Sequence, residues 1–150
     1  MTSHGFKRPE SVLVLVYTAA SEVLLLRRRT PDDFWQSVTG SLEWDETPGQ
    51  AARRELLEET GLAADAALID CHITHRFPLL PAWRGRYAAD VTHNIEHVFS
   101  LELPARAAVR IDPREHLDYR WVARSEALVL ASSHTNRDAI LACVPAARSD

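Results

Sequence analysis

The chain of 150 residues lacks the features that mark secreted, membrane-spanning and nucleic-acid-binding proteins. Its only cysteines are Cys71 and Cys143, which form no CxxC pair, so we expect a reducing, cytoplasmic compartment and no disulfide framework. No apolar run is long enough to span a bilayer, and the N-terminus lacks the hydrophobic stretch of a signal peptide. The net charge of −4 argues against nucleic acid or a membrane surface as a partner.

Several common catalytic motifs are also absent. There is no glycine-rich phosphate loop of the Walker or Rossmann type, and no nucleophile elbow. The seven histidines form no evident metal site, because His72 and His75 fall on a predicted strand where their spacing points them to opposite faces. The composition is 46% hydrophobic and 25% charged, which suits one globular domain over residues 1–150.

The most informative stretch runs from Gly40 to Leu62 and includes a predicted helix. Thr47 is a good N-cap, Pro48 takes the first helical position, and Gln50 completes a capping box. Gly61 can adopt the positive φ that closes a helix. These signals predict a helix over residues 48–60.

This helix has a crowded acidic edge. Glu55 and Glu59 lie one turn apart, Glu58 joins them, and Arg54 is placed four residues before Glu58 to pair with it. Carboxylates that crowd together repel one another unless positive charge lies among them. A solvated acidic face is the ordinary interpretation of such a run, and a divalent cation such as magnesium is the functional one.

The spacing of the whole stretch favours the functional interpretation. It reads Gly40, five residues, Glu46, seven residues, Arg54-Glu55-Leu56, one residue, Glu58-Glu59, one residue, Gly61-Leu62. This resembles the Nudix box, the signature of hydrolases that act on a nucleoside diphosphate linked to another moiety. One position differs, since Asp45 stands where the family often has glycine, and Asp tolerates a left-handed turn better than most residues.

The order of predicted elements indicates an α+β protein with a mixed sheet flanked by helices. The resemblance implies a more specific architecture, the Nudix-type α/β/α sandwich with a mixed central sheet. We expect a loose arm over residues 1–6 and a frayed tail from Pro145. The predicted strands cover residues 11–18, 23–29, 35–40, 67–77, 93–103, 109–111 and 117–122, and the predicted helices cover residues 48–60, 124–132 and 133–143.

Residues 78–92 are expected to form a long functional loop. Two prolines and a glycine argue against a regular element there. Trp83, Tyr87, Arg84 and Arg86 give it stacking surfaces and positive charge. We interpret it as a substrate-covering loop or a subunit contact, and the sequence leaves the oligomeric state open.

The box predicts metal-assisted cleavage of a phosphoanhydride. Glu55 and Glu59 are placed to hold Mg²⁺, with Mn²⁺ as a substitute, and Glu58 is a further ligand that also pairs with Arg54. The predicted catalytic set is Glu58, Arg54 and, from the loop before a later strand, Glu115. Glu46 is expected to support the box turn structurally.

Several runs outside the box resemble a branch of the Nudix family that cleaves dihydroneopterin triphosphate to its monophosphate and diphosphate, a step of folate synthesis. They are Phe6-Lys7-Arg8-Pro9, residues 33–40, Leu68-Ile69-Asp70-Cys71, Glu115-His116-Leu117 with Tyr119 and Trp121, and Asn136-Arg137. The resemblance implies a small-molecule triphosphate as substrate and Glu115 as a magnesium ligand. It implies that the substrate contacts are Lys7, Arg28, Thr39, Phe77, Pro78, Leu79, Leu80 and Ser133.

The sequence leaves two alternatives open. The loop from Pro78 to Trp83 departs from the pattern of that branch, which leaves open a general pyrophosphohydrolase of NTPs and dNTPs. A non-catalytic Nudix domain that senses a nucleotide or metabolite is the third hypothesis. It is disfavoured because such domains usually lose box carboxylates, and Glu55, Glu58 and Glu59 are all present.

Overall fold

The computed structural model describes residues 5–64 and 67–147, so the first four residues of the predicted arm and the last three of the tail lie outside it. Within these ranges no helix is both long and apolar enough to cross a membrane. The strands are β1 (Glu10–Thr18), β2 (Glu22–Arg28), β3 (Trp35–Gln36), β4 (Val38–Ser41), β5 (Leu68–Pro78), β6 (His93–Leu103) and β7 (His116–Ala123). The helices are α1 (Pro48–Thr60), α2 (Arg124–Leu130) and α3 (His134–Cys143), with a 3₁₀ helix at Pro81–Arg86.

The strands form one mixed sheet, as predicted. Its main order is β3-β2-β1-β6-β5, while β4 pairs with β1 and β7 pairs with β2. The pairing of β1 with β6 is parallel, and the other pairings are antiparallel. The first half of β1, Ser11 to Val14, pairs with β4, whereas Tyr17 pairs with Val23 of β2. One edge of β1 is therefore shared between two strands that diverge.

Strand β1 is buried on both faces, which explains its continuous apolar run. Val12, Val14 and Val16 pack on the face covered by α1, where Ala52 and Leu56 are fully buried. The alternate residues of β1, Leu13, Leu15 and Tyr17, pack on the opposite face with Ala127 of α2 and with Ala139 and Ile140 of α3. The sheet thus lies between two helical layers, and the predicted α/β/α sandwich is confirmed.

The strand predicted over residues 35–40 divides into β3 and β4 at Ser37. The Ser37 backbone N–H donates to Asn136 Oδ1 at 2.8 Å, and Asn136 Nδ2 donates to Ser37 Oγ at 2.9 Å. Because Asn136 on α3 takes the place of a strand partner, the chain can leave β2 and join β1 without an unpaired buried amide. This contact lies 99 residues apart in sequence, beyond the reach of local patterns.

Two other predictions are wrong: the short strand at residues 109–111 and the absence of a regular element in residues 78–92. The strand predicted at residues 109–111 does not form, because the Arg110 N–H donates to the Thr60 carbonyl at 2.9 Å while Val109 and Ile111 pack on the α1 side of the core. Residues 78–92 are not irregular throughout, since they contain the 3₁₀ helix. Pro81 fits there because the first turn of a helix leaves its N–H positions without intrahelical partners.

We predict that Asn136→Ala destabilises the fold. The substitution removes both side-chain contacts to Ser37, which is fully buried. The backbone N–H of Ser37 is then left without a hydrogen-bond partner. We expect a loss of roughly 2–4 kcal/mol in the free energy of unfolding, measured by urea denaturation. The matched control is Asp138→Ala, an exposed position on the same helix. A loss for Asn136→Ala no greater than that of the control would contradict the assigned role.

Candidate active site

Helix α1 begins and ends as its sequence predicts. The Gln50 N–H donates to Thr47 Oγ1 at 3.2 Å, and the Thr47 N–H donates to Gln50 Oε1 at 2.9 Å, which completes the capping box. Gly61 has a φ of 76° and closes the last turn. These caps fix the two ends of α1, and the apolar residues Ala51, Ala52 and Leu56 fix the face that packs on the sheet.

Glu55 and Glu59 are the two buried carboxyl groups of α1. Their residues are 9% and 3% exposed, and their carboxyl groups are close enough to share a hydrogen bond when one of them is protonated. The backbone N–H of Thr39, on β4, also donates to the Glu59 carboxyl. Glu59 Oε1 is buried and makes no hydrogen bond within the described residues. The Glu58 side chain, in contrast, points outward and is 56% exposed.

Burial disfavours the ionised form of both carboxyl groups. It raises the pKa of Glu55, although the Arg54 guanidinium acts in the opposite direction. The pKa of Glu59 is raised well above its usual value by burial, by the neighbouring Glu55 and, at longer range, by the charge of Glu115. The structure therefore brings the predicted ligands Glu55, Glu59 and Glu115 into one electrostatic neighbourhood, at a place where added positive charge would be stabilising.

Arg54 connects the carboxylates of the box. Its guanidinium donates to both oxygens of Glu46, at 2.6 and 2.7 Å, and to Glu55 Oε1 at 2.6 Å. It also donates to the Ser41 carbonyl at 3.1 Å, whereas its contact with Glu58 Oε2 is longer, at 3.4 Å. The predicted pair between Arg54 and Glu58 is thus present but is the weakest of the set. Arg54 therefore holds the Glu55 side chain against the turn that precedes α1. Glu46 supports this turn because its carboxyl group accepts from the Glu43 N–H at 2.8 Å.

Gly40 leaves space for the Glu55 carboxyl group. A Cβ atom at this position would lie 2.1 Å from Glu55 Cδ and 2.1 Å from its Oε2. No side chain larger than hydrogen can occupy that space without moving Glu55. The glycine at the start of the box is therefore required by close approach of a functional side chain to the backbone.

The donor set fits a hard divalent cation. Carboxylate oxygens are the protein ligands that Mg²⁺ prefers, and a buried, unpaired oxygen of Glu59 is the kind of atom that a cation would satisfy. Within residues 5–64 and 67–147, no three His, Cys, Asp or Glu side chains are already arranged as a metal cage. Arg54 provides the positive charge next to Glu55, and Glu58 extends into solvent.

His116 is a buried neighbour of these carboxylates that the sequence analysis did not identify as a site residue. Its Nε2 lies 3.5 Å from Gln36 Nε2 and 3.9 Å from Glu59 Oε1. Burial, together with the nearby Arg28 charge, lowers the pKa of His116 to about 4, so the imidazole is neutral at pH 7. Only its position after Glu115 in the sequence could have drawn attention to it.

A cluster of cations lies beside the carboxylates. The backbone N–H of Lys7 donates to the Arg86 carbonyl at 2.8 Å. The side-chain Nζ of Lys7 lies 6.0 Å from the centre of the Tyr87 ring. Burial and the charges of Arg86 and Arg28 lower the pKa of Lys7, while Glu55 raises it. The predicted substrate contacts Lys7 and Arg28 are therefore close in space. Arg86 joins them from the 78–92 segment.

The other predicted substrate contacts surround the end of the sheet. Thr39 Oγ1 donates to the Val12 carbonyl at 2.9 Å, and Phe77 lies opposite Asn94 in the β5–β6 pair. Ser133 caps α3, since its Oγ accepts from the Asn136 N–H at 3.1 Å. In the segment that follows Phe77, Leu79 is buried, whereas Pro78 and Leu80 are exposed.

The structure also reveals buried polar residues that the sequence analysis missed. Glu96 accepts a hydrogen bond from His75 Nδ1 at 3.0 Å, and Asn94 Nδ2 donates to Ser11 Oγ at 2.8 Å. Residues 94, 96 and 98 alternate along the predicted strand and share one face. That alternation was the available signal, because it places Asn94 and the Glu96 carboxyl group on the same face as the core residue Val98.

Comparison with known proteins identifies the class to which this site belongs. A family model described as the NUDIX domain matches residues 7–143. The chain therefore belongs to the NUDIX family, and the predicted enzyme class, a Nudix hydrolase, is confirmed. Members of this family generally use divalent metal ions.

Particular relatives cover nearly the whole chain. The chain is 45% identical over 144 residues to the dihydroneopterin triphosphate diphosphatase of Escherichia coli strain K12, with 93% of this chain and 95% of that protein covered. It is 41% identical over 139 residues to the Haemophilus influenzae protein of the same name, with coverage of 90% and 87%.

Comparison with solved structures also finds proteins of the NUDIX family. The E. coli dihydroneopterin triphosphate pyrophosphohydrolase superposes with a TM-score of 0.84 at 44% identity and covers 93% of this chain and 97% of its own. A NUDIX hydrolase from Listeria monocytogenes, at 24% identity and a TM-score of 0.76 with coverage of 90% and 91%, shows the shared fold alone.

We predict that Gly40→Ala weakens divalent-metal binding. The new methyl group would displace the Glu55 carboxyl group. We expect the dissociation constant for Mn²⁺, measured by titration calorimetry, to rise roughly 10- to 100-fold. Gly49→Ala is the control, because its Cβ would meet nothing closer than the end of the Arg53 side chain at 3.4 Å. Equal Mn²⁺ affinities in the two variants would show that Glu55 does not need the space above Gly40.

We predict that His116 makes the fold sensitive to acid. Its pKa is lowered to about 4 in the folded protein, from 6.5 in the unfolded chain, so the unfolded chain binds the proton first as pH falls. Stability contributed by the neutral imidazole is present above pH 6.5 and is lost between these two pKa values. Relative to His116→Gln, the native protein should lose up to about 3 kcal/mol of unfolding free energy between pH 7.5 and pH 4. Parallel pH profiles in urea denaturation would exclude this titration.

Proposed function

We propose that this protein is a Mg²⁺-dependent diphosphatase that cleaves dihydroneopterin triphosphate to dihydroneopterin monophosphate and diphosphate. The observation that carries the proposal is the identity of 41–45% to relatives of that name over 90–93% of the chain. The site supports it independently, because buried carboxyl groups face a cluster of cations suited to a polyphosphate. We further propose that the chain acts as one domain over residues 1–150, in the cytoplasm.

In this proposal the carboxylates of the box bind the metal ion. Glu55 and Glu59 would hold Mg²⁺, with Glu115 and Glu58 as further ligands. When bound, the cation neutralises phosphate oxygens and promotes attack by water. Bound positive charge would also favour ionisation of Glu55 and Glu59, whose pKa values are raised by burial. Arg54 contributes by holding Glu55 and Glu46 in place.

The cationic cluster accounts for the triphosphate. Lys7 and Arg28 would contact phosphate oxygens, and Arg86 adds charge from the segment that follows β5. Charged hydrogen bonds to phosphate are stronger than neutral ones, and they would fix the chain of phosphates over α1. Thr39 lies at the junction, since its backbone N–H donates to the Glu59 carboxyl group while its side-chain hydroxyl donates to the Val12 carbonyl of β1.

Two glutamates are candidates to take the proton from the attacking water. The Glu58 carboxylate is exposed and only loosely paired with Arg54. Glu115 is exposed in the loop before β7, whose backbone is fixed because the Arg29 N–H donates to the Glu115 carbonyl at 2.8 Å. A general base must reach water near the phosphorus, and both side chains are free of the burial that restrains Glu55 and Glu59.

We predict that the purified protein with Mg²⁺ releases diphosphate from dihydroneopterin triphosphate with a kcat/KM roughly 100-fold or more above that for the common NTPs and dNTPs. Glu59→Gln should lower turnover roughly 100-fold or more while the substrate still binds, because it removes a buried ligand. Glu126→Gln, at an exposed position of α2, is the control. Diphosphate release is followed by a coupled phosphate assay.

The same assay decides among the alternatives. Comparable rates on purine nucleotides would favour the general pyrophosphohydrolase of NTPs and dNTPs. Binding of a nucleotide without any turnover in the unsubstituted protein would favour a sensing domain. Either result would overturn the proposed substrate.

A further inference from the structure

A row of buried polar side chains crosses the sheet on the face covered by α3. In the register of the strands, His75 of β5 lies opposite Glu96 of β6, which lies opposite Ser11 of β1. The adjacent row on the same face is apolar and consists of Ile73, Val98 and Leu13. The hydrophobic core of this layer therefore ends at one row of residues, and the next row is polar although still buried.

The members of this row are tied into a hydrogen-bonded set. His75 Nδ1 donates to Glu96 Oε1 at 3.0 Å, and the Thr135 hydroxyl at the start of α3 donates to the same carboxyl group. Asn94 Nδ2 donates to Ser11 Oγ at 2.8 Å, whereas Asn94 Oδ1 is buried and has no partner among the described residues.

Burial of these polar side chains lowers the stability of the fold. Glu96 is 6% exposed and Asn94 is 4% exposed, and neither has an arginine or lysine partner in the hydrogen bonds described above. Burial of a carboxylate and of an unpaired amide oxygen each cost free energy that a hydrophobic pair would not. A ligand with complementary donors would recover part of that cost.

The row lies next to residues expected to contact substrate. Phe77 is opposite Asn94, Thr39 is opposite Leu13 in the adjacent row, and Ser133 Oγ lies 3.2 Å from Thr135 Oγ1. The edge of the row reaches the surface, since the His75 side chain is 17% exposed and Ser133 is half-buried. The metal and phosphate residues are on the α1 side of the same end of the sheet, so a triphosphate bound there could extend its heterocycle towards α3.

We propose that Glu96, oriented by His75, is a specificity-determining residue that accepts hydrogen bonds from two adjacent N–H donors on the edge of the substrate's heterocycle. Asn94 adds an amide beside it. A ring N–H next to an exocyclic amino group is present in a 2-amino-4-oxo pterin and in guanine, and it is absent from adenine. The two carboxylate oxygens of Glu96 match that pair of donors. The inference rests on the proposed function and deepens it by assigning recognition of the ring.

A second surface competes for this role. Phe6 and Trp44 are exposed beside Lys7, and Trp44 Nε1 donates to the Phe6 carbonyl at 2.7 Å. This pair offers a face for stacking, which any flat base could use, but its one indole donor is already engaged. It would therefore not discriminate guanine from adenine, whereas Glu96 would.

The test compares Glu96→Gln with Glu102→Gln, an exposed glutamate on the same strand. The substrates are dihydroneopterin triphosphate, GTP and ATP, with kcat and KM measured separately. Glutamine replaces one acceptor oxygen with a donor, so kcat/KM for the pterin and for GTP should fall roughly 10- to 100-fold, mainly through KM. The value for ATP should stay within about threefold of that of the unsubstituted protein, and Glu102→Gln should change none of the three.

Other outcomes have distinct meanings. An equal loss on all three substrates, or no loss, would overturn the role of Glu96, and a rise in KM confined to Trp44→Ala would place the ring on the other surface. His75→Leu, at a partly exposed position, provides a second variant if Glu96→Gln does not fold, and it should give the same selective loss at smaller size. If the native protein prefers GTP to ATP but does not cleave the pterin, the proposed substrate fails while the inference about Glu96 is still tested.

Discussion

Two carboxyl groups buried one turn apart on α1 impose the main constraint on this molecule. Glu55 and Glu59 resist ionisation where they lie, and their neighbours reduce the cost of keeping them there. Arg54 donates to one of them, the Thr39 amide donates to the other, and Gly40 leaves the space that a methyl group would fill. The caps of α1, the divergence of β4 from β2 and the bidentate pair between Arg54 and Glu46 all contribute to the placement of these two groups.

Much of this arrangement could be predicted from the sequence because its causes are local. The capping box, the positive φ of Gly61 and the one-turn spacing of the glutamates depend on residues within a few positions of each other. The continuous apolar run that buries both faces of β1 is similarly local. The resemblance of residues 40–62 to the Nudix box then supplied the sandwich architecture, which periodicity alone did not.

The parts that could not be predicted depend on contacts between distant segments. The division of one predicted strand at Ser37 requires Asn136, which is far away in the chain, and the 109–111 segment packs irregularly because Thr60 takes its amide hydrogen bond. The low pKa of His116 results from burial that only the complete fold creates. The polar row at Glu96 depends on strand register, because the same residues shifted by one position would face the other helical layer.

The divided edge of β1 has a consequence for how such a site can change during evolution. Its first half carries β4, which leads to the carboxylate side of the site, and its second half adjoins β2, which ends at the cationic Arg28. The separation between these opposite charges therefore depends on how far β4 and β2 diverge along β1, as well as on the reach of the side chains. Core substitutions that changed this divergence would lengthen or shorten that separation while every ligand stayed the same. A descendant enzyme could in this way adopt a substrate with a different number of phosphates and keep its box intact.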